Sequence, residues 1–219
     1  METDLKSITD NILGNLRVVE REEPAEHLEP WSWRENGHEG GRGIGRRLAE
    51  EIQPGRLRMT PALRRLRAAL SDGRTPVVLA GDVGLGKSVA AARAVADAPD
   101  AAASGQHARF VSADDVCDWI HRNPRDLGPR EWTAKQLSEC EFLAIDEMGR
   151  EYLDAHGRHL HALTRIIERR HEAGLPTVLT TNMDQSRFEQ QYGGRVVDRI
   201  IGSGAWIQLT GKSMRREKK

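Results

Sequence analysis

The sequence predicts an α/β fold built on a parallel five-stranded sheet flanked by helices. Three observations carry this reading. Short apolar runs alternate with helical stretches from residue 60 onward. One run enters a glycine loop of the form G-x-x-x-x-G-K-[ST] at residues 81–88 and leaves it as a helix. Another ends in two acids, Asp146 and Glu147. Strands alternating with helices imply a sheet covered on both faces, and ligands on such sheets gather at the carboxyl ends of the strands.

Each element has a local reason. Thr60 followed by Pro61 reads as an N-cap and a first helical residue. Leu63, Leu66 and Leu70 then share one face, and Ser71-Asp72-Gly73 ends that helix. Pro76 to Ala80 is a buried strand, and Ser88 to Ala98 an alanine-rich helix stopped by Pro99. Arg109 to Ser112 is a second strand, followed by a helix over Ala113 to His121. Phe142 to Ile145 is the third strand. Asp154 is expected to cap a long helix reaching His171, which Gly174 and Pro176 terminate. Thr177 to Thr181 and Trp206 to Leu209 are the fourth and fifth strands.

Upstream of this pattern, Leu5, Ile8, Ile12, Leu16 and Val19 step by three and four, as one apolar stripe on a helix does. Arg21 to Gly45 holds Pro24, Pro30, Trp31, Trp33 and five glycines, and reads as a linker or irregular loop. The expected organisation is an N-terminal partner-binding extension with linker over 1–55 and a catalytic domain over 56–219.

Composition narrows the function. The 219 residues carry 33 Lys+Arg against 33 Asp+Glu, so nucleic acid is not bound by bulk positive charge and any such site is a local patch. Cys117 and Cys140 are too few for a disulfide framework or a zinc cage. The first ten residues are polar and unlike a signal peptide, and no apolar run could span a bilayer. These features predict a cytoplasmic protein that does not engage membranes.

The glycine loop predicts the chemistry. Gly81, Asp82, Val83, Gly84, Leu85 and Gly86 lead into Lys87, Ser88 and Val89 at a helix start. Glycine backbones can turn successive N–H groups inward as an anion nest, and the helix adds its positive end. Lys87 is placed to reach the β and γ phosphates of ATP, and the Ser88 hydroxyl to ligate Mg²⁺. At the end of the acidic strand, Asp146 is a candidate Mg²⁺ ligand and Glu147 a candidate general base. Phosphoryl transfer to a small metabolite also needs an Asp there, so the pair alone leaves a small-molecule P-loop kinase open. Asn182, after Thr180 and Thr181, is either a turn residue or a hydrogen-bonding group for the attacking water and γ-phosphate. Arg195 and Arg199 lie four apart on one helical face, as a surface pair or as arginines offered to a neighbouring subunit's phosphate.

The stretch from about Thr60 to Arg216 resembles the AAA+ ATPases of the DnaC/IstB type, most closely bacterial and phage replicative helicase loaders. The segments that carry the resemblance are GDVGLGKS at 81–88, FVSADDV at 110–116, FLAIDEMG at 142–149, IIERRHEAGLPTVLTTNM at 166–183, GGRVVDRI at 193–200 and WIQLTGKSMR at 206–215. The resemblance implies a compact AAA+ core without a large C-terminal lid, binding ATP or ADP with Mg²⁺. It makes Lys87 and Ser88 the Walker A lysine and metal ligand, Asp146 and Glu147 Walker B, and Asn182 sensor 1. Arg199 becomes an arginine finger acting in trans, and Arg215 the sensor 2 arginine. It also implies slow hydrolysis stimulated by assembly or DNA, head-to-tail homo-oligomers when ATP is bound, and two partners: a replicative DNA helicase and single-stranded DNA. An IstB-like transposition helper shares the same core. Residues 1–55 match nothing in that family pattern.

Several features stay open at the sequence level. Trp119, His121, Arg122, Arg125, Arg130, Trp132 and Lys135 mix aromatics with cations, as a single-strand binding surface or as helices with Trp packed inward. The tail Lys212, Arg215, Arg216, Lys218 and Lys219 is a second basic cluster or a solvated end. The 2–19 stripe fits a helicase, a second copy or its own core; Trp31 and Trp33 fit an interface or a loop interior. His156, His159 and His161 read as a surface cluster rather than a metal site.

Overall fold

A computed structural model describes residues 42–98, 108–120, 122, 124–128, 131–151 and 157–214. In chain order the elements are α1 Arg46–Glu51, α2 Pro61–Ser71, β1 Val77–Ala80, α3 Lys87–Asp97, β2 Arg109–Ser112, α4 Ala113–Trp119, α5 Ala134–Glu139, β3 Leu143–Met148, α6 Arg158–Glu172, β4 Thr177–Thr181, α7 Gln185–Tyr192, α8 Gly194–Ser203 and β5 Ala205–Gln208. The five strands form one parallel sheet in the order β2-β3-β4-β1-β5.

Alternate strand residues point to opposite faces, and both faces are covered. Val78, Val111, Leu143, Ile145 and Leu179 meet helices α4 to α8 on one side. Val77, Leu79, Ala144 and Val178 meet α1, α2 and α3 on the other. The cap expected at Thr60 is present: its hydroxyl accepts the Leu63 N–H at 3.2 Å, with Pro61 at the first helical position. The helix after β2 is capped by Ser112, whose side chain accepts the Asp115 N–H.

Three expectations shift. Residues 42–52, placed by sequence in the extension and its linker, pack on the α/β core through buried Ile44, Ala49 and Ile52. Arg42 is buried there, and its guanidinium donates to the carbonyls of Val95, Ala96 and Ala98 at the end of α3. Three apolar residues among glycines and arginines form too short a stripe to register as a helix. Second, α5 was not expected; it is built by a capping box between Thr133 and Gln136 and buries Leu137. Third, β3 runs on through Met148, and the described part of α6 begins at Arg158 behind Gly157. Asp154, the 2–19 stripe, Trp31 and Trp33 lie outside the described residues.

Arg170, fully buried on α6, joins the layers. It donates to the carbonyls of Leu137, Cys140 and Pro176 and to the Thr177 hydroxyl. Burial holds its pKa below the usual arginine value. Replacing it by Met leaves the Cys140 carbonyl without its donor and those of Leu137 and Pro176 with only the Cys140 thiol and the Leu143 N–H; each hydrogen bond lost from a charged donor costs roughly 1.5–3 kcal/mol. Arg170→Met is expected to lower unfolding free energy by about 3 kcal/mol or more, read from urea denaturation.

Candidate functional site

The glycine loop leaves β1 through Gly81 (φ 139°), turns at Gly84 (φ 89°) and enters α3 through Gly86 (φ 81°). Those angles lie where L-residues pay steric energy. Space excludes a side chain as well: a Cβ on Gly81 would stand 2.4 Å from the Leu209 carbonyl oxygen. Leu85 is buried in the core and anchors the loop, while Asp82 and Val83 are exposed. Val89 lies half-buried in the first turn of α3. The Lys87 side chain folds back into the loop and is 7% exposed. Its Nζ donates to Gly81 O at 2.6 Å, Asp82 O at 2.8 Å and Asn182 Oδ1 at 2.9 Å. The loop therefore presents an ammonium and a helix N-terminus at one place, a site suited to an anion.

The acids stand two strands away. The β3–β4 register shifts between Ile145 and Met148, one extra residue on β3, as a β-bulge does. The bulge turns Asp146 inward, where it is 8% exposed, and leaves Glu147 outward with φ 59°. The Thr180 hydroxyl donates to Asp146 Oδ1 and accepts the Glu147 N–H at 3.0 Å. Ser88 also hydrogen-bonds the Asp146 carboxylate. Burial pushes the Asp146 pKa above the usual carboxylate value against the pull of Thr180 and Ser88, and Glu147 adds to the rise. A hydroxyl and a carboxylate converging beside an anion site form a hard-oxygen set that fits Mg²⁺, which prefers few protein ligands plus phosphates. The Glu147 carboxylate is paired with Arg150 at 2.8 Å.

The family profile described as IstB-like ATP binding protein matches residues 62–219. The chain belongs to this family. Among curated sequences nothing matches. Solved structures share its fold at low identity. The crystal structure of the DnaC helicase loader aligns at TM-score 0.57 and 15% identity, over 76% of this chain and 100% of that one. AMPPCP-bound DnaA from Aquifex aeolicus aligns at 0.56 and 17%, over 75% of this chain and 52% of that one. A DNA replication initiation factor aligns at 0.54 and 18%, over 70% of this chain and 46% of that one. The chain thus spans about half the length of the latter two. The sheet, the P-loop and the profile agree on an AAA+ ATPase of the DnaC/IstB type that binds nucleotide.

In this IstB-like protein, Lys87, Ser88, Asp146 and Asn182 are brought together with the glycine loop, Glu147 stands outward beside Asp146, and Arg199 finds its partners on α6. Arg199 is largely covered and pairs with Glu168 and with Glu172 on α6, while Arg195 is mostly exposed near Glu168 at 3.5 Å. Arg215 lies outside the described residues, but the chain reaches the loop just before it: Met214 N–H donates to Gly84 O at 3.0 Å. Sequence reasoning missed Thr180, Arg150 and Glu151. The polar pair Thr180-Thr181 at a strand end was the available signal for the first.

The aromatic–cationic segment folds inward. Trp119 is buried, Trp132 half-buried, and both rings flank the buried Arg109 guanidinium at 5.7 and 5.0 Å. Arg122 is paired with Glu131 at 2.6 Å. His121 and Arg130 lie outside the described residues. Exposed cations gather instead along a groove between α5 and α6. A cavity of about 510 Å³ there is lined by Arg158, His161, Arg165 and Arg169, and a second of about 620 Å³ adjoins it with Lys135. His156 is not described, and among the described residues no three His, Cys, Asp or Glu side chains group as a metal site. No helix among them is long and apolar enough to cross a membrane.

The raised Asp146 pKa carries a sign. Its native form binds a proton more tightly than the unfolded chain does, so its contribution favours folding at low pH and is lost as pH rises above the ordinary value of 3.8 and through the raised one. Asp146→Asn removes a buried charge and keeps both hydrogen bonds. It is expected to raise the melting temperature of the nucleotide-free protein at neutral pH, with the gain shrinking on acidification, read from melts across a pH series.

Proposed function

We propose that this protein is an ATP-dependent helicase loader, a slow switch ATPase that engages a replicative helicase and single-stranded DNA. The observation that carries the ATPase part is the meeting of Lys87, Ser88, Asp146 and Asn182 at the carboxyl ends of β1, β3 and β4. The loop amides and the Lys87 ammonium hold the phosphate tail. Ser88 and Asp146 are the residues that would hold Mg²⁺, which when bound withdraws charge from the phosphate oxygens. Asn182, already on the Lys87 ammonium, is within reach of the γ-phosphate end of the loop and orients water there. Glu147 takes the proton of that water once it leaves Arg150. Arg199 acts in trans when an adjoining nucleotide replaces Glu168 and Glu172 as its partner, so hydrolysis waits for assembly. Arg215, the sensor 2 arginine by the resemblance, is assigned to the same nucleotide.

The helicase-loader choice is supported by the DnaC likeness at full coverage of that structure. DNA engagement is supported by the cationic α5–α6 groove, and by likeness to a DnaA structure bound to AMPPCP and single-stranded DNA, with TM-score 0.50 and 19% identity. The guanidinium groups of Arg158, Arg165 and Arg169 along α6 suit the phosphates of a strand. Residues 1–55 contain the segment that would hold the helicase. The IstB-like profile favours a second reading, a transposition helper that presents target DNA to a transposase.

Lys87→Ala is expected to abolish ATP binding, read by fluorescent-nucleotide titration; normal affinity would overturn the site. Arg199→Ala is expected to keep ATP affinity and lose hydrolysis stimulated by assembly or DNA, by roughly 10³-fold if it acts as a finger. Unchanged turnover would remove the trans role. A pull-down with segment 1–55 as bait separates the two readings by whether helicase or transposase is captured.

A further inference from the structure

The turn after β3 contains a buried carboxylate that pairs with no cation among the described residues. Glu151 is 5% exposed. Its Oε2 accepts the Gly149 N–H at 2.7 Å, and its Oε1 accepts Gln191 Nε2 at 2.9 Å and the Tyr192 hydroxyl. Every recorded partner is a neutral donor. Burying an anion on neutral donors alone is costly, and an apolar residue would fill the same space more cheaply. Burial, and then the adjoining Glu151 carboxylate, push the Tyr192 phenol well above its usual pKa, so it remains a donor at any physiological pH.

What the carboxylate holds is the backbone that sets Glu147. That residue sits at φ 59° without being glycine, a conformation costing about 1–2 kcal/mol. Such an angle persists only where surrounding contacts over-determine it. Thr180 accepts the Glu147 N–H at 3.0 Å, and the Arg150 N–H closes the turn on Glu147 O at 3.2 Å. Glu151 is the tie that leads from this turn to another helix. Gln191 and Tyr192 are the last residues of α7, and Gly193 (φ 88°) joins them directly to α8, which bears Arg195 and Arg199. Tyr192 is seated by Phe188, ring centroids 4.4 Å apart, and Phe188 by Trp206 at 5.4 Å.

We propose that Glu151 is a positioning residue that ties the Glu147 turn to the α7–α8 pair, so that the setting of the general base follows the setting of the arginine-bearing helix. This rests on the ATPase reading of Glu147. Movement of α8 is carried through Gly193 to Tyr192 and Gln191, and from them through the carboxylate to the Gly149 amide. Glu151 touches no reacting atom. Its effect is on where Glu147 points.

The test uses the full chain with Glu151→Gln and, because that variant could fold poorly, Tyr192→Phe, which removes one hydroxyl and keeps the ring. Amide hydrogen exchange is read by mass spectrometry alongside ATP affinity and kcat. Exchange over residues 147–151 is expected to rise while the P-loop stays protected. ATP affinity should remain within about twofold of wild type and kcat fall about tenfold or more, the signature of a group acting only on the chemical step. The double variant should lose little beyond the larger single effect, since both act through one contact. Unchanged exchange over 147–151 in either folded variant overturns the tie. So does a rise spread over the whole chain with affinity and kcat falling together. Failure of the wild-type protein to bind or hydrolyse ATP would instead remove the ATPase reading, and the exchange measurement would still judge the tie.

Discussion

The site depends on β4 lying between β1 and β3. The loop that holds phosphate leaves β1, and the acids stand on β3. With strands about 4.8 Å apart, one intervening strand separates them by about 10 Å. That gap accommodates a phosphate and a hydrated cation, and β4 equips both sides of it. Thr180 reaches toward β3 and bonds Asp146 and the Glu147 amide. Two residues on, Asn182 reaches toward β1 and bonds Lys87.

Charge is handled differently at each position. Lys87 is buried, and its ammonium donates to two backbone carbonyls and to the Asn182 amide oxygen. Asp146 is met by two hydroxyls and the Glu147 amide, and burial raises its pKa. A buried carboxylate in that condition gains from a divalent cation, which restores the electrostatic compensation the fold withholds. Glu147 and Arg199 are paired with charges of the same chain, Arg150 and the α6 glutamates. On the proposed roles of Glu147 and Arg199, a transition to hydrolysis requires exchange of partners at both ion pairs.

Much of the candidate nucleotide site was legible because its signals are local. A glycine loop between strand and helix and acids after an apolar strand are read within ten residues of sequence. Thr180 escaped notice because a threonine in a strand has an ordinary structural role; only the bulge in β3 and the parallel register bring its hydroxyl to Asp146. Trp119 and Trp132 were ambiguous for the converse reason. Their cationic neighbours in sequence suited a nucleic-acid surface, but Arg109, one strand earlier, gathers both rings around itself. The helix over Arg46–Glu51 was hidden because its apolar residues gain their meaning from α3 and β2, which lie far along the chain.

The amino-acid sequence by itself determined the alternation of strands and helices, the caps at Thr60 and Ser112, the anion loop and the two acids, since these follow from backbone conformational preference and short-range hydrogen bonding. Tertiary structure alone decided which strands are neighbours, which way the β3 bulge turns Asp146 and Glu147, and where Arg199 and Glu151 find their partners. Those outcomes depend on burial of both sheet faces at once, an energy that no segment possesses until the others are in place.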